Sequence, residues 1–380
     1  MSDFAFEART CARTFGILST FPPTPCGIAT FSAALATGLI VNGATVDVVR
    51  CGDAPDIEDP AVVALLRRDG AHVAVEALNR TDVAIVQHEY GIFDGPDGDS
   101  VLEVLRSLLV PAIVVAHTVP LTPTASQHSI LEEVCALASA VVVMTAAARA
   151  RLLSFFDIDP RRISVIAHGA AVPADDSPAP PGRNRLLTWG LLGPGKGLEW
   201  AIDAVSSLQD LRPRPQYVIA GATHPKVLAH AGDTYREMLI RRSSANGTSE
   251  SVTFDGRYRD LTALAQLIAA SDLVVLPYDS ADQVTSGVLV DAIAAGRPVV
   301  ATEFPHAVEL LSSGAGIVVP QRDPAALANA IRTVLTDPVL AADMAAEARC
   351  LAPGLSWTAV AAQYDTLADD LLSAAPSARR

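Results

Sequence analysis

Two backbone amides and a carboxylate one helical turn apart give this chain its first recognisable chemistry. Ser286-Gly287-Val288 opens an apolar segment that runs to Gly296. Serine is a favoured N-cap and glycine a favoured C-terminal stop, so residues 287 to 295 read as a helix. The unpaired N–H groups of Gly287 and Val288, together with the helix dipole, favour a phosphate at that end. Asp291 follows Val288 by three residues and Gly287 by four, hence on the same face, roughly 5 Å along the axis. Phosphate at the amides and sugar hydroxyls at the acid describe a nucleotide. The plain alternative is an ordinary crossover helix with a surface aspartate.

Lys196 offers a cation in a second glycine-rich turn, Gly190-Leu191-Leu192-Gly193-Pro194-Gly195-Lys196-Gly197. Gly190, four residues and Gly195-Lys196 fit most of a P-loop, but Gly197 stands where a Mg²⁺-holding Ser or Thr is required. A phosphate-binding lysine without that metal ligand, or a solvated loop lysine, are the readings left. His88, in Gln87-His88-Glu89-Tyr90-Gly91, and His117, followed by Thr118, come just after apolar runs. Open α/β sheets gather ligands at such strand ends, although a lone histidine is as often structural.

The elements that would position these groups alternate along the chain. Leu273 to Pro277 reads as a buried strand, 278 to 285 as a polar loop, and Val299 to Ala301 as the strand after the helix. That is the crossover of a parallel sheet. Near the N-terminus, strand Phe15 to Leu18 leads through a Pro-rich loop ending at Cys26-Gly27 into a helix from about Ile28 to Leu39. This is a Rossmann-like opening without GxGxxG, which disfavours a dinucleotide. Gly27 reads as a turn glycine that the backbone geometry needs. Strands are expected at Thr45 to Val49, Val83 to Gln87, Ala112 to Ala116, Ser139 to Thr145 and Ile163 to Ala167. Val172 to Asn184, with four prolines, reads as a linker. A second sheet follows, from Leu186 to Trp189, Tyr217 to Ala220, Val252 to Gly256 and Gly314 to Pro320 with the strands already named. A helix is expected over Pro324 to Leu335. In the last segment Trp357, Val360, Tyr364, Leu367 and Leu371 recur at spacings of three and four, an amphipathic helix over Ser356 to Ser373.

Composition narrows the partners. With 380 residues, half of them apolar, there is material for two cores. A formal charge of −14 argues against nucleic acid and against tight adsorption to anionic lipid. Cys11, Cys26, Cys51, Cys135 and Cys350 form no metal-like pair, and their odd number suits free thiols in a reducing compartment. No apolar run approaches ~18 residues, so no transmembrane segment is expected. The charged N-terminus has no apolar signal core, and a cytoplasmic protein follows. Lys196 and Lys226 are the only lysines.

Taken together these motifs resemble the family 4 (group 1) retaining glycosyltransferases, which have the GT-B fold. The family's Glu, seven residues, Glu pattern corresponds to Gln283, seven residues, Asp291, followed by Gly296-Arg297-Pro298-Val299-Val300. Its Gly-Arg-Leu-x-x-x-Lys-Gly corresponds to Gly190-Leu191 through Lys196-Gly197, with the arginine replaced by Leu191. The resemblance spans about residues 14 to 370. It implies an α/β protein of two Rossmann-like domains facing across a cleft: residues 1–172 on the acceptor side, 185–355 on the nucleotide-sugar side, and 356–380 crossing back to the first. It implies transfer of a hexose from a nucleotide diphosphate sugar, of GDP-mannose or UDP-glucose type, with retention. No cofactor or metal is implied, and no Asp-x-Asp motif lies in a convincing loop.

By the same resemblance Gly27, Gly190, Lys196, Ser286, Gly287, Val288 and Asp291 hold the donor, with His117 at the sugar. Gln283 lies beside the reacting centre. His88, Glu89 and Tyr90 fall on the side of a sugar, polyol or glycolipid acceptor. The changes to Gln283 and Leu191 keep a second class open, a catalytically impaired nucleotide-sugar-binding protein of the same fold; an epimerase of that fold is a weaker third.

Overall fold

A computed structural model describes residues 12–24, 26–52, 59–173, 183–257, 261–280 and 283–374. The apolar runs become strands because each is short, bounded by turn residues and covered on both faces. In the first half the order is β1 (Thr14–Thr20), α1 (Gly27–Val41), β2 (Thr45–Cys51), β3 (Val62–Leu65), α2 (Leu66–Leu78) and β4 (Val83–His88). Then come α3 (Val101–Ser107), β5 (Ala112–Ala116), α4 (Ala125–Leu137), β6 (Ala140–Val143), α5 (Ala146–Phe155) and β7 (Ile163–Val165). All these strands pair in parallel, in the order β3-β2-β1-β4-β5-β6-β7.

The second half repeats the plan with β8 (Arg185–Trp189), α6 (Leu198–Ser206), β9 (Gln216–Ala220), α7 (Pro225–Ala231), α8 (Thr234–Ala245) and β10 (Val252–Asp255). It continues through α9 (Leu261–Ala269), β11 (Leu273–Leu276), α10 (Gly287–Ala294), β12 (Val299–Thr302), α11 (Pro305–Leu310) and β13 (Gly316–Val319). Their parallel order is β10-β9-β8-β11-β12-β13. Three helices follow, α12 (Pro324–Thr336), α13 (Pro338–Leu355) and α14 (Trp357–Ala374).

Some expectations needed adjustment. β3 is a four-residue edge strand that pairs with β2 through a register shift, too short to stand out in the sequence. The run 139–145 gives only Ala140–Val143 to the sheet, because Thr145 turns to cap α5, accepting from the Ala148 amide at 3.0 Å. The run from Ile163 likewise gives a strand only to Val165. Gly27 is the first residue of its helix, whose N-cap is the Cys26 thiol, 3.3 Å from the Ala29 amide. The charged N-terminal stretch 1–11 and most of the linker expected over 172–184 lie outside the described residues.

The last helix returns to the first sheet. Val360, Tyr364 and Ala368 of α14 share a core with Phe15, Phe31 and Leu35. A Cβ at Gly38 of α1 would lie 2.5 Å from the Trp357 carbonyl oxygen, so glycine sets the close approach of the two helices. Arg13 seals the contact with ion pairs to Asp365 and Asp369.

Candidate nucleotide-sugar site

In each sheet the strand order reverses once, between β1 and β4 and between β8 and β11, and ligands of open α/β sheets bind outside such points. The glycine-rich turn after β8 and the amino end of α10 after β11 meet at the second of these. A Cβ at Gly190 would lie 3.6 Å from Cγ2 of Val288. Ser286 caps α10, its hydroxyl accepting from the Leu289 amide at 3.3 Å. Its own N–H donates to Nδ1 of His306, 2.9 Å away on α11. That bond requires an unprotonated Nδ1, and burial holds the His306 pKa down at about 3. The amides of Gly287 and Val288 find no acceptor among the described residues.

Asp291 sits half-buried one turn further on, and its carboxylate meets no donor among the described residues. Desolvation raises its pKa to about 7. Lys196 is aimed by the buried Tyr278, whose ring centre lies 4.2 Å from Nζ, a cation–π contact. Gly197 has φ +58°, and a Cβ there would collide with the Pro277 carbonyl. A P-loop Ser or Thr is therefore excluded by backbone geometry at that position. Gln283 turns its amide nitrogen back onto the Thr285 carbonyl within its own loop.

The first domain brings histidines to the same cleft. His117 Nε2 lies 2.6 Å from Oε1 of the buried Gln87, so with the amide oxygen facing the ring Nδ1 is left as acceptor. Phe31 of α1 packs edge-on to His117, His168 and Trp357 at 4.9, 5.0 and 4.9 Å. His168 Nδ1 donates to the Gly169 carbonyl at 2.6 Å, and its Nε2 would lie 2.9 Å from a Cβ on Gly287. The two domains thus touch at the amino end of α10. Burial lowers the pKa of His117 to about 3 and of His168 to about 4, so both rings are neutral. Gly27 is exposed, its φ is outside the left-handed region, and no atom lies within 4 Å of a Cβ placed there. Neither the turn nor the packing demands that glycine.

His88 is only 1% exposed and packs edge-on to Tyr90 at 5.1 Å, so its ring lies behind the cleft wall. Glu89 accepts from the Thr118 hydroxyl and from the Tyr90 amide, and burial raises its pKa. Lys226 of α7 reaches across from the second domain, its ammonium lying where a side chain on Gly91 would stand. Sequence reasoning did not place His168, His306 or Lys226 in the site. Lys226 left only the trace of being one of two lysines, and His306 left none.

Two Rossmann-like domains whose carboxyl edges face one another across a cleft form the GT-B architecture. Solved structures share it: Anabaena HepE in complex with UDP, 19% identical, covers 94% of this chain and 100% of its own with a TM-score of 0.69. Sucrose-phosphate synthase from Thermosynechococcus elongatus, 20% identical, covers 96% and 100% with a TM-score of 0.73.

Residues 183–337, which carry Lys196 and Asp291, match the glycosyl transferases group 1 family. The second half of the chain thus carries a glycosyl transferases group 1 domain, in a molecule with the GT-B fold. Among similar proteins, D-inositol 3-phosphate glycosyltransferase of Corynebacterium glutamicum is 28% identical over 292 residues, 70% of this chain and 68% of that protein. Phosphatidyl-myo-inositol mannosyltransferase of Mycobacterium leprae is 32% identical over 180 residues, 46% of this chain and 44% of that protein. Among the described residues no helix is long and apolar enough to cross a membrane.

Proposed function

We propose that the chain moves a hexose from a nucleotide diphosphate sugar, of UDP-glucose or GDP-mannose type, to a hydroxyl of a polyol, sugar or glycolipid, with retention and in the cytoplasm. The observation that carries this reading is Asp291. A half-buried carboxylate without a donor from its own chain is costly, and a ribose diol one turn beyond two free amides offsets that cost. The diphosphate then lies between the Gly287 and Val288 amides and Lys196, which stabilise the charge that develops as it departs. Ser286 fixes those amides, and Gly190 keeps the turn low enough for the phosphates to approach. Lys226 adds a second positive charge over the cleft, beside Glu89.

On this reading the neutral His117 accepts a hydrogen bond from a sugar hydroxyl, while Gln87 holds the ring. Gln283 lies beside the anomeric carbon, and Gly27 leaves the first loop open to the donor. Glu89 and Tyr90 orient the acceptor, with His88 supporting Tyr90 from behind. The names of the two relatives, one acting on an inositol phosphate and one on phosphatidyl-myo-inositol, favour a polyol acceptor. A thermal-shift screen of nucleotide sugars tests the reading. A ligand at about 100 times its Kd stabilises by about 2.7 kcal/mol, enough to raise Tm measurably. A screen in which neither uridine nor guanosine diphosphate sugars raise Tm refutes it.

A further inference from the structure

We propose that Glu309 is a positioning residue for the transfer reaction, closing the cleft by capping a helix of the opposite domain. α5 packs on the first sheet, and the hydroxyl of its N-cap Thr145 accepts only from the Ala148 amide. The helix's first two amides, Ala146 and Ala147, donate to Oε1 and Oε2 of Glu309 at 2.9 and 3.0 Å. Glu309 stands on α11, in the second domain. A carboxylate there meets two orphan donors and the positive end of the helix dipole at once.

Two further bonds tie the same place to the site. The Thr145 hydroxyl donates to the Val284 carbonyl at 3.0 Å, across the domains. Val284 itself is 3% exposed and packs into the core of the first domain. From α11, His306 accepts the Ser286 N–H. The loop 283–286, which carries Gln283 and the cap of the anion site, is therefore clamped between α5 and α11. Glu309 is the charged fastening of that clamp, and among the described residues its carboxylate bonds only to the α5 amides, not to Lys196, Asp291 or the histidines.

Lys196, the α10 amides and Asp291 all belong to the second domain, whereas His117 and Glu89 come from the first. Loss of Glu309 thus leaves the nucleotide groups assembled and loosens their register with the sugar and acceptor groups. Its kinetic consequence rests on the donor site proposed above; its structural consequence does not.

Three measurements on the full chain test this with Glu309→Ala, Glu309→Gln and Glu309→Asp. The radius of gyration from solution scattering should rise in Glu309→Ala and Glu309→Gln. Affinity for UDP and GDP by calorimetry should stay within about twofold while release of UDP from UDP-glucose, or of GDP from GDP-mannose, slows about tenfold. Glu309→Asp, which keeps the carboxylate, should recover part of that rate. Scattering identical to the parent chain overturns the proposal, as does nucleotide affinity that falls in step with the rate. Should Glu309→Ala fail to fold, the near-isosteric Glu309→Gln decides by the same scattering. If the parent chain binds neither nucleotide, the donor reading fails and the scattering comparison still judges Glu309.

Discussion

An ionised carboxylate without donors penalises the folded state, and Asp291 converts that penalty into a measurable pH dependence. Its folded pKa of about 7 stands above the ordinary 3.8, so between those values the folded chain holds a proton that the unfolded chain releases. Stability from this group is present below pH ~4 and is lost as pH rises through ~7. Asp291→Asn should therefore flatten this part of the stability profile, and near pH 8 the variant should be the more stable apo-protein, as denaturation followed across pH will show. Binding should run the other way. Asn offers one acceptor head, so affinity for UDP or GDP should fall by roughly 1–3 kcal/mol, and much less for the 2′-deoxy nucleotide. An equal loss with both nucleotides removes Asp291 from the ribose. Lys196→Ala should weaken UDP and GDP alike by roughly 1.5–3 kcal/mol, the range for a hydrogen bond to a charged group. Unchanged calorimetric affinity for both would leave Lys196 a loop cation held on Tyr278.

At the scale of elements, the helices work because small residues let them come close. Gly38 faces the Trp357 carbonyl, and a glycine inside a helix is otherwise unfavourable by up to about 1 kcal/mol against alanine. Gly38→Ala should nevertheless destabilise, by roughly 1–3 kcal/mol from overpacking, because a backbone carbonyl at 2.5 Å has little room to give. A rise in Tm on substitution would mean that α14 is free to shift off α1. Every strand but β3, and the helices α1, α10, α12 and α14, were legible in the sequence because apolar period and capping residues are local signals. β3 was not, since four residues carry too little pattern, and its place depends on β2 beside it. The ends of the apolar run at 139–145 misled for a related reason: Thr145 serves a helix cap and a bond to Val284, and neither partner is visible from the run itself.

Over the whole molecule the charge of −14 sets what the surface can meet. At 0.15 M salt the protein should neither shift duplex DNA in a gel nor sediment with phosphatidylglycerol vesicles, because a net acidic surface repels both polyanions. Saturable retention by either would show a basic patch stronger than the overall balance. Against this background the cleft is the exception, since both lysines of the chain reach it.

The sequence by itself determined the free-amide end of α10, its carboxylate one turn on, the glycine-rich turn with Lys196 and the alternation that builds two parallel sheets. Each of these rests on spacing within a single element, which backbone geometry fixes wherever the element lies. Only the tertiary structure decided that His88 is sealed behind Tyr90, that His168 lies against Gly287, and that His306 accepts from Ser286. It alone brought Lys226 to Gly91 and Glu309 to the amides of α5. Those contacts join residues far apart in the chain, and they exist only once two separately wound sheets have been set face to face.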